Sequence, residues 1–142
     1  MNVLITCVGR RGYMVGYFQT ALDGRGKVLA ANSDALSVGM LRADKSFVVP
    51  NVHNENYIPS LLTICVEENV GLLVSLFDMD LPYLAAARER FKAIGTEVIV
   101  SDPWVIETSA DKWLTYQFLK AQGFDTPTSF SILRNAEDAL EY

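Results

Sequence analysis

The 142-residue chain carries 12 basic and 17 acidic side chains, and its net charge of −5 argues against a nucleic-acid partner, whose backbone wants a basic stripe. Half of its residues are apolar and a fifth are charged, a balance that excludes disorder and gives a folded unit enough material for a core. No stretch approaches the ~20 consecutive apolar residues of a membrane span.

Asn2–Cys7 is an apolar run with β-branched residues and reads as a strand; no basic segment precedes it, so a signal peptide is not expected. Tyr13–Leu22 sets Met14, Phe18 and Leu22 at helical spacing. Lys27–Ala31 reads as a second strand and Ser46–Val49 as a third, closed by Pro50. In Tyr57–Glu68, Ile58, Leu61, Leu62 and Cys65 fall at i, i+3, i+4 and i+7, which is an amphipathic helix. Gly71–Phe77 is nearly all apolar, as in a strand buried on both faces. Leu81–Ile94 is helical, with Leu84, Ala87, Phe91 and Ile94 on one face and Pro82 in the first turn. Thr96–Val100 reads as the fifth strand.

Strands alternating with helices predict an α/β fold, a Rossmann-like parallel sheet of about five strands spanning residues 1–102. Residues 103–142 read as a second segment. It holds a short helix at 104–108, a longer one at 111–122 with Gly123 at its C′ position, and a strand over Thr128–Leu133. Asn135-Ala-Glu-Asp138 looks like a helix start. Fewer residues follow than the ~12 an isolated helix needs, so the chain is expected to be a truncated fragment.

The first strand runs into Cys7-Val8-Gly9-Arg10-Arg11-Gly12, the dinucleotide pattern G-x-G-x-x-G with Cys7 in place of its first glycine. On the functional reading, Gly9 lets a ligand approach the backbone and Gly12 lets the helix seat closely on the sheet. Arg10 and Arg11 add charge at a helix N-terminus, and Asp34, 22 residues past Gly12, stands where a ribose-binding acid would. On the plain reading this is a tight βα turn with two solvated arginines and a loop aspartate. Asp78 and Asp80 follow the fourth strand; they suit an amine or a metal, or Asp80 simply caps the next helix. Cys7 and Cys65 share no ligand spacing, and with the single histidine His53, read as a loop residue, a zinc site is not expected. Cys7, placed on a buried strand, is expected to be inert, and free thiols fit a reduced, cytoplasmic setting. Gly9, Arg10, Arg11, Gly12, Asp34, Asp78 and Asp80 are thus the candidate substrate- or anion-binding residues; no catalytic residue or metal site is assigned.

Several segments in order carry a resemblance: Val3–Arg11, Ala43-Asp44-Lys45, Val49-Pro50, Phe77–Pro82, Ser101-Asp-Pro103, and Asp111-Lys112 followed by Gly123 and Pro127. The chain resembles the N-terminal part of ATP-grasp ligases, especially carbamoyl-phosphate synthase large-subunit-like proteins: a pre-ATP-grasp domain and the start of an ATP-grasp domain. The resemblance implies an ATP-dependent carboxylate–amine ligase acting through an acyl phosphate. ATP and Mg²⁺ are then cofactors of the full-length protein, and none is expected for this fragment. Lys112 would reach the nucleotide's phosphates, though as a residue it is equally an exposed helix lysine. The family's remaining catalytic elements would lie beyond Tyr142, so the chain alone is expected to be inactive.

The implied partners are a small-molecule carboxylate and a C-terminal ATP-grasp domain, with no nucleic acid and no membrane. Exposed Trp113, Phe118 and Phe130 would favour a homo-oligomer. Two other readings stay open. One is an NAD(P)- or nucleotide-binding Rossmann module, against which the missing first glycine weighs. The other is a non-enzymatic module for a small anion or a partner. A receiver-type switch is disfavoured, because Cys7-Val8-Gly9 stands where its acidic pair would be.

Overall fold

A computed structural model describes residues 1–131, which fall into two compact units divided after Ser101. In the first, strands β1 (Asn2–Thr6), β2 (Val28–Asn32), β3 (Lys45–Val48), β4 (Val70–Ser75) and β5 (Glu97–Ile99) alternate with helices. These helices are α1 (Gly12–Leu22), α2 (Val38–Arg42), α3 (Tyr57–Glu67) and α4 (Leu81–Ala93). The strands form one sheet in the order β3-β2-β1-β4-β5, and every pairing is parallel. The expected Rossmann-like α/β fold is the fold observed. β1 is central, and the chain leaves it first toward β2 and β3 and later returns to its other side with β4 and β5. The strand order therefore reverses at β1, and ligands bind such sheets outside the strand C-termini at that switch point.

Strand alternation sends successive side chains to opposite faces, and two cores result. Leu4, Leu29 and Ala31 join Leu61, Ile64 and Cys65 of α3 and Leu84, Ala87 and Phe91 of α4. Val3, Ile5, Val28 and Ala30 join Val15 of α1 and Met40 of α2 on the other face. β4 buries Val70 and Leu73 fully but Leu72 only in part, so it is less enclosed than its apolar sequence predicts.

Helix α2 has no counterpart among the expected elements, and it changes the role of two glycines. A Cβ on Gly12 would come 2.9 Å from Arg42 Cδ and 3.1 Å from Val38 Cγ1, so Gly12 lets α1 approach α2 rather than the sheet. Gly39 of α2 lies against Val8, whose Cγ2 would be 2.2 Å from an added Cβ, and its N–H donates to Gly9 O at 3.0 Å. The missed helix is thus a buttress for the loop that follows β1.

The second unit contains α5 (Pro103–Ala110) and α6 (Lys112–Ala121). Asp111 Oδ1 accepts from the N–H groups of Trp113 and Leu114 at 2.7 and 3.0 Å, which fixes the start of α6. The strand expected over Thr128–Leu133 is not formed at residues 128–131, which pair with no strand among the described residues; its last two residues, and the expected helix from Asn135, lie outside the described residues. Among the described residues no helix is long and apolar enough to cross a membrane.

Candidate functional site

A cleft of about 280 Å³ opens at the C-terminal edge of the sheet, at the switch point. One wall is the loop after β1, with Cys7, Gly9, Arg10 and Arg11. Asn32 and Ser33 after β2, Val49–Val52 after β3, and Phe77 after β4 complete the rim, and Tyr57 at the head of α3 closes it from below.

Local chemistry shapes each wall. Gly9 sits at φ 47°, a left-handed conformation that glycine adopts without a Cβ penalty. Cys7 shares that conformation at φ 49° and lies just beyond the strand, half-buried in the cleft, not within a buried strand as expected from sequence. Arg11 N–H returns to Val8 O at 2.9 Å, and Arg11 Nη1 donates to Leu76 O at 2.6 Å, so this arginine spans from the β1 loop to the β4 loop. Arg10 is exposed and makes no hydrogen bond or ion pair among the described residues. Its charge is available to a ligand. Across the cleft, Asn51 Oδ1 accepts from His53 N–H at 3.1 Å, and His53 Nδ1 lies 2.9 Å from Tyr83 Oη; His53 is a loop residue that ties its loop to α4.

Behind the floor lies a buried polar group. Asp80 is fully buried, and its Oδ2 accepts from Thr6 Oγ1 at 2.5 Å. The expected N-cap bond from Asp80 is not made: its backbone is helical in φ and ψ, and the carboxylate turns inward to Thr6 instead. Its Oδ1 has no hydrogen-bond partner among the described residues. Cys7 Sγ and Tyr57 Oη are 3.7 Å apart. Burial, and then the negative charge of Asp80, push the Cys7 thiol up to about 12, and the same two causes raise the Tyr57 hydroxyl. Both groups are therefore neutral near pH 7, and the charge at the cleft is set by its arginines.

Of the residues singled out from sequence, the fold gathers Gly9, Arg10 and Arg11 at the cleft, while Gly12, Asp34, Asp78 and Asp80 do not line it. Asp34 closes its own turn, accepting from Leu36 N–H at 2.9 Å. Asp78 is exposed in the turn before α4. Lys112 is exposed at the first position of α6, in the second unit. Tyr57, Asn32, Ser33 and Asn51 line the cleft without having been singled out, because only the sheet topology brings their segments together. Among the described residues no three His, Cys, Asp or Glu side chains cluster as a metal-ligand set.

Comparison with known proteins gives a consistent picture. The family profile described as PylC-like, N-terminal domain, matches residues 3–99. N5-carboxyaminoimidazole synthetase from Staphylococcus aureus, solved with ADP, is similar over 99% of this chain and 35% of its own, at 15% identity and a TM-score of 0.68. An L-amino acid ligase from Bacillus licheniformis is similar over 89% of this chain and 30% of its own, at 20% identity and a TM-score of 0.66. The biotin carboxylase domain of a single-chain bacterial carboxylase is similar over 99% and 34%, at 17% identity and a TM-score of 0.66. At these identities the likeness is one of fold, and the chain spans about a third of the length of these structures. No curated protein sequence matches it.

Proposed function

The chain belongs to the PylC-like N-terminal domain family, with the fold that opens ATP-grasp enzymes, and we propose that it is the substrate-side domain of an ATP-dependent carboxylate–amine ligase. The parent protein is a carbamoyl-phosphate synthase-like ligase that activates a carboxylate as an acyl phosphate. The observation that carries this reading is the cleft at the switch point, where the free charge of Arg10 and the left-handed Gly9 loop face a space sized for a small molecule.

Arg10 binds the carboxylate of the substrate and Arg11 holds the wall in place through Leu76. The neutral Cys7 and Tyr57 side chains form the floor, so the lining residues that carry charge are the arginines. Lys112 heads a helix in the second unit and is the candidate contact to nucleotide phosphate, with ATP and Mg²⁺ supplying phosphoryl transfer in the whole protein. Among the described residues no three His, Cys, Asp or Glu side chains converge as a metal-ligand set, and no step through the metal is assigned to them. On this reading the 142-residue chain by itself forms no ADP from ATP and Mg²⁺ with any carboxylate and amine; ADP formation proportional to chain concentration contradicts this.

One observation weighs against a dinucleotide module: Asp34, the acid expected to hold a ribose, accepts from Leu36 N–H in its own turn and does not line the cleft. The test is a titration of isotope-labelled chain with small carboxylates and, separately, NAD⁺, followed by amide NMR shifts. The reading expects carboxylate-dependent shifts at Gly9–Arg11 and Asn51, with no such response to NAD⁺. Shifts at the Gly9 loop with NAD⁺ alone overturn it.

A further inference from the structure

Cys7 stands where the fingerprint loop would carry its first glycine, and its backbone keeps the glycine conformation at φ 49°. A Cβ is disfavoured there, so a non-glycine residue persists only where its surroundings over-determine it. Three restraints surround Cys7. Its N–H donates to Ala31 O at 2.9 Å. Its Sγ lies 3.7 Å from Tyr57 Oη. The side chain of the preceding Thr6 donates to Asp80 Oδ2 at 2.5 Å, across 74 residues of sequence.

Asp80 is an unusual partner. It is fully buried, it heads α4 without capping it, and its Oδ1 has no hydrogen-bond partner among the described residues. A buried carboxylate is costly to keep, and this one faces the Cys7 thiol and the Tyr57 hydroxyl as well as Thr6.

We propose that Asp80 is a positioning residue: through Thr6 it clamps the end of β1 so that Cys7 holds a glycine conformation and the Gly9 loop keeps its shape at the cleft. The clamp joins the end of β1 to the head of α4, the helix that follows β4. It explains how a non-glycine residue holds a left-handed backbone at this position: a long-range hydrogen bond supports locally what a glycine would adopt freely. The negative charge of Asp80 also helps to hold Cys7 as a neutral thiol, so the floor beneath the arginines carries no second anion.

The proposal rests on reading the Gly9 loop as the binding wall, but its test needs no ligand. Amide hydrogen exchange is measured for the wild-type chain, Asp80→Asn, Cys7→Gly and the double variant. The Arg11 and Gly39 amides, bonded to Val8 O and Gly9 O, report the loop; the Thr96 amide, bonded to Phe91 O, is the reference. Asp80→Asn is expected to speed Arg11 and Gly39 about tenfold relative to Thr96, the scale of one strained residue released. In the Cys7→Gly background the same substitution should speed them less than about twofold, because glycine needs no clamp. Unchanged exchange in Asp80→Asn, or equal acceleration in both backgrounds, overturns the proposal. Should Asp80→Asn fail to fold, Thr6→Val takes its place in the cycle with the same two expectations. Failure of the carboxylate reading would appear elsewhere, as a wild-type cleft that gives no NMR response to carboxylates while this cycle still holds.

Discussion

Arg11 donates from Nη1 to the carbonyl oxygen of Leu76 at 2.6 Å, bridging the loop after β1 to the loop after β4. Its neighbour Arg10 makes no such bond among the described residues. Two adjacent arginines thus have different jobs, one structural and one available to a ligand. Arg10→Ala should weaken carboxylate binding about tenfold, the scale of one charged hydrogen bond, and leave the unfolding midpoint unchanged. Arg11→Ala should lower unfolding free energy by about 1 kcal/mol. Calorimetric titration and urea unfolding of both variants check this; equal effects of the two on stability would contradict the division of labour.

The buttress from α2 makes a second prediction. Gly39→Ala would drive a Cβ to 2.2 Å from Val8 Cγ2, so the loop or the helix must move. A destabilisation of about 1–3 kcal/mol is expected, together with weaker carboxylate binding. Gly16→Ala, on α1 with no atom within 4 Å of the new Cβ, should instead stabilise the chain by roughly 0.5–1 kcal/mol. Denaturant unfolding of both variants gives the signs, and a stabilised Gly39→Ala would refute the contact.

The two thiols carry a pH dependence. Burial first, then Asp80, raises Cys7 from its ordinary 9.0 to about 12; burial raises Cys65 to about 11, partly offset by a hydrogen bond from Thr96. The native chain therefore holds these protons more tightly than the unfolded chain above pH 9. Stability from this source is fully present below pH 9 and is lost as pH rises toward 11–12. Thermal unfolding should show that decline only above about pH 9, and Cys65→Ala should reduce its slope. Alkylation of native Cys7 at pH 8 should be far slower than that of an unfolded control; equal rates would contradict the neutral floor.

In the second unit Trp104 and Phe124 are 58% and 60% exposed, and Phe118 and Phe130 are also exposed. Aromatic surface of this kind favours self-association. Light scattering should show a mass that rises with concentration, reduced by Phe124→Ser. A constant monomeric mass across the accessible range would contradict it.

The fold was readable because each long element carries its own period. Leu61 and Cys65 of α3 declare a helical face, and the continuous apolar run Val3-Leu4-Ile5 of β1 declares a buried strand, so those elements fall within one or two residues of expectation. α2 was invisible because Val38–Arg42 is too short to show a helical repeat. Missing it misplaced Gly12, whose close neighbour is that helix. Residues 128–131 have strand composition, but a strand needs a partner, and among the described residues they pair with none. At the site, Gly9, Arg10 and Arg11 could be grouped because they share one loop. Tyr57 and Asn51 could not, since only the return of the chain beside β1 brings them there. Asp80 shows the ambiguity most sharply: an acid just before a helix looks the same in sequence whether it caps that helix or turns into the core.

The most direct test of the central claim is a crystal structure of the chain grown with malonate, a compact dicarboxylate. The account predicts density in the cleft with a carboxylate against Arg10 and the Gly9 backbone, Arg11 still bonded to Leu76 O, and Cys7 still left-handed. Malonate bound elsewhere with the cleft unoccupied, or a cleft that accepts NAD⁺ and refuses carboxylates, would contradict it.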